Sequence, residues 1–91
     1  MRILVTTYPF TEDNKFLKGN DTHYNPHKRK MDALELVREI KLHDPEIIIA
    51  GTEKYDADIL GICKSLKMIS RVGTGLDSVD LEECKKRGIA V

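Results

Sequence analysis

The 91-residue sequence has no excess of either charge: fifteen basic side chains offset fifteen acidic ones, and no run of like sign suggests an interaction tail. That balance leaves no electrostatic footprint for nucleic acid or for an anionic membrane surface. No apolar stretch approaches the roughly 18 residues of a membrane-spanning helix, and Met-Arg ahead of a short apolar run is not a signal peptide, so a cytoplasmic location is expected. Cysteine is scarce. Cys63 and Cys84 lack CxxC spacing and fall on the apolar faces of expected helices, which reads as two reduced core residues. His23 and His27 lie four apart, but Pro26 breaks the helix that would aim both at a metal, and no carboxylate or thiol is spaced to join them. There is no internal repeat and no low-complexity segment. At this length the chain is one small domain, residues 1–91, or a piece of a larger one.

What is present is an alternation of apolar runs and amphipathic helices. Ile3, Leu4 and Val5 form a continuous apolar run, the mark of a strand buried on both faces, and Pro9 ends it near Thr7 or Tyr8. The hydroxyls of Thr6, Thr7 and Tyr8 therefore stand near a strand's carboxyl end, either facing a ligand or in a solvated turn. The polar stretch 11–30 allows a short helical turn around Phe16 and Leu17 and a brief edge strand over 22–25. Arg29, in the basic cluster 27–30, is either solvated or holds an acidic partner. Asp32 with Glu35 forms a capping box, and Ala33, Leu36, Val37 and Ile40 stripe a helix over 33–42, ended by Asp44 and Pro45. Ile47, Ile48, Ile49 and Ala50 make a central strand. Asp56 caps a helix with Ile59, Ile62, Cys63 and Leu66 inward, a strand over 67–72 follows, and Asp80 with Glu83 forms a second capping box on a helix that Gly88 ends. Ile89, Ala90 and Val91 begin a fifth strand. Strands alternating with helices imply right-handed crossovers and an α/β doubly wound parallel sheet, with the expected order 2-1-3-4-5.

The densest chemical signal is Gly73-Thr74-Gly75, a glycine pair where the fourth strand leaves the sheet. A dinucleotide fingerprint needs three glycines, and Gly73, Gly75 and Ser78 supply two; the helix cap at Asp80 also comes too late to lie under a pyrophosphate. A phosphoacceptor domain needs acidic residues after the first and third strands, where this chain has Thr6 and Gly51. Two readings stay open: an ordinary tight turn, or a small-anion site in which main-chain NH groups of Thr74 and Gly75 hold a carboxylate.

The segment RVGTGLDSVDLEECKKRGIAV resembles the NAD-dependent D-2-hydroxyacid dehydrogenases, the family that includes D-3-phosphoglycerate dehydrogenase, in its apolar strand, G-x-G-x-D-x-x-D, short helix and R-G-I-x-V. Asn25-Pro26 with Arg29, and Gly51-Thr52-Glu53 after the third strand, extend the likeness over most of the chain. The resemblance implies the outer, flavodoxin-like, substrate-side domain of such an oxidoreductase, present as an incomplete fragment, with Gly73, Thr74, Gly75 and Thr52 binding a small 2-hydroxy or 2-keto acid. It implies NAD as cofactor and a homodimeric parent. The family's catalytic arginine, glutamate and histidine and its nucleotide loop belong to a second domain, so this chain carries no catalytic and no cofactor-binding residue and is expected to be inactive alone. Two departures stand out. The family's full helix between the first two strands is replaced by a short polar connection. The arginine and serine of phosphoglycerate-specific members align with Ala50 and Gly51, which leaves 3-phosphoglycerate unsupported as substrate. The rival reading is a non-catalytic ligand-binding or regulatory module of the same fold.

Overall fold

The computed structural model describes residues 1–8, 15–72 and 78–91. Four parallel strands, β1 (Arg2–Val5), β2 (Asp21–Tyr24), β3 (Ile47–Ala50) and β4 (Met68–Arg71), line up in the order β2-β1-β3-β4. A fifth begins at the free side of β4, where the Ile69 amide donates to the Ala90 carbonyl at 2.8 Å and the Ala90 amide to that of Lys67 at 2.9 Å. The expected order 2-1-3-4-5 holds as far as the described residues reach. Helices α1 (Lys15–Lys18), α2 (Ala33–His43), α3 (Ala57–Ile62) and α4 (Leu81–Lys86) make the connections.

The register sorts the strand residues by face, as a period of two requires. Leu4, Ile48 and Ile69 stand in one row across the sheet and pack with Leu36, Ile40, Ile59, Leu60 and Cys84 from α2, α3 and α4. Ile3, Val5 and Ile47 point the other way, into a smaller cluster closed by Leu17 of α1. On that second face Ile49 is only partly buried.

Helix ends follow the sequence with two corrections: α3 stops at Ile62, leaving Cys63 as its C-cap and Leu66 beyond the helix, and α4 forms only half of its capping box. At α2 the capping box is complete: Asp32 accepts from the Glu35 amide and Glu35 returns to the Asp32 amide. At α4 only the forward half forms, Asp80 accepting from the Glu83 amide at 3.0 Å, because the Glu83 carboxylate instead takes the Arg87 guanidinium at 3.0 Å one turn on. Gly88 ends α4 at φ 71°, a left-handed conformation that glycine adopts without a Cβ penalty. The Gly88 amide bonds to Lys85 and the Ile89 amide to Cys84, a Schellman motif that turns the chain back into the sheet. Both cysteines are free thiols. Cys84 is buried in the core, whereas Cys63 caps the end of α3, half-buried, where desolvation lifts its thiol pKa to about 11.

Candidate functional site

In a parallel sheet the loops leaving the strands' carboxyl ends gather on one side, and ligands bind there. Here Thr6, Thr7 and Tyr8 leave β1, residues 51–55 leave β3, and Val72 leaves β4. Between them lies a shallow depression of about 100 Å³, lined by Thr7, Tyr8, Lys30, Thr52 and Val72, with Thr6, Gly51 and Glu53 on its inner wall.

The inner wall is a buried polar cluster. Glu53 is 4% exposed and Tyr55 and Thr6 are fully covered. One oxygen of Glu53, Oε2, accepts from the Tyr55 hydroxyl at 2.6 Å, from the Gly51 amide at 3.1 Å and from the Thr6 hydroxyl. The two hydroxyls also lie 2.9 Å from each other. Convergent donors are what allow a carboxylate to stay inside a protein, since an unpaired buried charge is prohibitively costly. Burial first, and the neighbouring Glu53 carboxylate second, push the Tyr55 phenol well above its ordinary range, so it remains a donor at any working pH. Gly51 is required by close approach: a Cβ there would stand 3.1 Å from the Thr7 Cα and 3.0 Å from Glu53 Oε1.

The sequence-predicted site residues fare differently. Gly73, Thr74 and Gly75 lie outside the described residues. The segment that holds them is fastened on both sides: the Val72 amide donates to Ala50 at 2.9 Å before it, and after it the Tyr55 amide donates to Ser78 at 2.7 Å and the Asp80 amide to Tyr55 at 2.9 Å. Thr52 is exposed on the rim of the depression. Thr6 does not present its hydroxyl to a ligand, because the hydroxyl is committed to the buried cluster; Thr7 and Tyr8 remain at the opening. His23 and His27 separate, one to Asp21 at 2.8 Å and the other to Glu35 at 3.1 Å. Among the described residues no group of three or more His, Cys, Asp or Glu could hold a metal ion.

Lys30 reaches the rim on a bend fixed by its neighbours. The Asn25 side-chain amide donates to the Thr6 carbonyl at 3.1 Å and to the Arg29 carbonyl at 2.8 Å. Arg29 is the residue expected either in solvent or on an acidic partner, and it grips Glu35 with two bonds of 2.7 and 2.6 Å. That fork, with the Asp32 amide, draws the Glu35 carboxyl down to a pKa of about 2. Composition and periodicity carry no signal for Tyr55, and Glu53 stands out only through the Gly51-Thr52-Glu53 likeness, since a lone glutamate in a loop after a strand otherwise reads as solvated.

Fold and geometry together define a flavodoxin-like α/β domain with a shallow depression at the carboxyl ends of its strands. The comparisons narrow the class. The chain belongs to the D-isomer specific 2-hydroxyacid dehydrogenase family, whose catalytic-domain model matches residues 3–91. It is 31% identical over all 91 residues to a D-3-phosphoglycerate dehydrogenase of Archaeoglobus fulgidus, covering 17% of that protein. Over 65 residues, 71% of this chain and 20% of the relative, it is 32% identical to a hydroxypyruvate reductase of Thermotoga maritima. Among solved structures, NAD+-bound 3-phosphoglycerate dehydrogenase of Entamoeba histolytica superposes with a TM-score of 0.76 at 28% identity, over 98% of this chain and 31% of that one. The chain thus spans less than a third of each of these relatives.

Among the described residues, the helix start after the glycine pair does not fit a nicotinamide dinucleotide. That helix has its Glu83 amide already taken by the Asp80 carboxylate and is only six residues long, a poor seat for a pyrophosphate.

Proposed function

We propose that this chain is the substrate-side domain of an oxidoreductase that exchanges a hydride between NAD(H) and a small 2-hydroxy or 2-keto acid. In this reading the nucleotide, which supplies the hydride, is held by residues other than these 91, and the whole enzyme is a cytoplasmic homodimer. The role of this chain is to bind and orient the acid: main-chain NH groups of Thr74 and Gly75 fix its carboxylate, with Gly73 giving the bend its freedom and Thr52 at the rim. Main-chain donors suit that task because they are already placed when the acid arrives. The observation that carries the reading is that Val72, just before the glycine segment, lines the depression, while Ser78, just after it, is bonded to Tyr55 in the loop that leaves β3.

The reading is tested by titrating 15N-labelled protein with glycolate and, separately, with its neutral amide glycolamide. Saturable shifts of the Thr74 and Gly75 amides with glycolate alone are expected. Equal response to both compounds, or none to either, refutes the carboxylate site, and turnover of a 2-keto acid with NADH by these 91 residues alone refutes the division of labour.

A further inference from the structure

We infer that Glu53 is a positioning residue that acts through Tyr55 on Ser78 and Asp80, the described residues next after the glycine segment. The inference rests on the site proposed above only for its consequence on binding; the positioning itself stands on geometry. Glu53 Oε2 gathers donors from two strand ends, the Thr6 hydroxyl after β1 and the Gly51 amide after β3, together with the Tyr55 hydroxyl. Tyr55 then turns the same fixed point outward along its main chain, its amide held by Ser78 and its carbonyl holding the Asp80 amide. Its side chain is fully buried, so its hydroxyl and its backbone share one packed position. A single carboxylate therefore ties the end of β1 to the loop after β3 and, through Tyr55, to Ser78 and Asp80. The other oxygen, Oε1, packs against Gly51, so displacement of Glu53 is also felt at the inner wall.

An uncharged acceptor at position 53 keeps the shape and removes the charge that makes each of the three bonds strong. The experiment compares Glu53→Gln, Tyr55→Phe and a control, Glu46→Gln, by amide hydrogen exchange in the 91-residue protein. The control removes a carboxylate that accepts from the Arg2 amide at 3.1 Å and pairs with Lys67 at the opposite end of the sheet. Exchange at the Tyr55 and Asp80 amides, relative to the sheet amides of β1 and β3, should quicken roughly tenfold in Glu53→Gln, less in Tyr55→Phe, and not in the control. Equal quickening in the control, or unchanged ratios in both cluster variants, overturns the inference; should Glu53→Gln not fold, Tyr55→Phe decides alone. Glycolate titration of the same variants separates the two readings. If the wild-type protein does not bind glycolate while the exchange pattern appears, the positioning role stands and the carboxylate site falls. If wild type binds and Glu53→Gln binds with unchanged affinity despite quickened exchange, the role in binding is refuted.

Discussion

Replacing Tyr55 by phenylalanine removes one oxygen from a fully buried site and leaves the ring in place. The lost hydroxyl makes a 2.6 Å bond to the Glu53 carboxylate and a 2.9 Å contact to Thr6. A hydrogen bond to a charged partner contributes about 1.5–3 kcal/mol net. Glu53 keeps its other two donors in the variant, so the larger penalty for an orphaned buried charge does not apply, and a loss of about 2 kcal/mol is expected. For a domain of this size each kcal/mol shifts the melting midpoint by about 4–8 °C, which puts the drop at about 10 °C. The chain has no tryptophan, so urea unfolding followed by far-ultraviolet circular dichroism is the suitable assay. The midpoint should fall with the slope unchanged. Tyr55→Ala, which also empties the ring's space, should cost about 3–5 kcal/mol. A Tyr55→Phe loss below about 0.5 kcal/mol would refute the view that Glu53 depends on three donors, whatever the alanine variant does.

Gly51→Ala should destabilise by about 1–3 kcal/mol, since its Cβ meets the Thr7 backbone rather than a flexible side chain, and the same urea series measures it. The Glu35 carboxyl, depressed from 4.5 to about 2 in the folded chain, contributes stability that is fully present above pH 4.5 and lost as pH falls toward 2. The stability gap between wild type and Glu35→Gln should therefore narrow over that window, and a gap independent of pH would contradict the Arg29 fork. Asp32→Ala should cost about 1 kcal/mol through loss of the α2 cap. Glu83→Ala should leave the α4 cap intact, because its side chain serves Arg87 instead; helicity by circular dichroism distinguishes the two. Neither Cys63 nor Cys84 should react quickly with a thiol reagent at neutral pH, as burial raises both thiols, and both should react in denaturant.

The framework was legible wherever a local rule and the tertiary demand agree. The isoleucine run of β3 could only be a central strand, and Asp32, Asp56 and Asp80 each cap the helix expected of them. The second box failed because a glutamate at the third helical position has a competing partner one turn later, which the capping pattern does not weigh. The candidate site was harder to read. Thr6 was visible as a hydroxyl at a strand end, but whether it faces outward or inward is decided by Glu53 and Tyr55, which are 47 and 49 residues away along the chain. Periodicity carries no information about such a partnership. Glutamate and tyrosine in a loop are ordinary surface residues until the fold covers them.

The bend that carries Lys30 is secured by groups other than that lysine: by the amide of Asn25, by the fork of Arg29 on Glu35 and by the buried Met31. Position 30 is therefore a socket whose occupant can be exchanged without unseating the scaffold around it. Charge at the mouth of the depression and firmness of its frame are separable properties in this domain, and one can be changed while the other is left as it is.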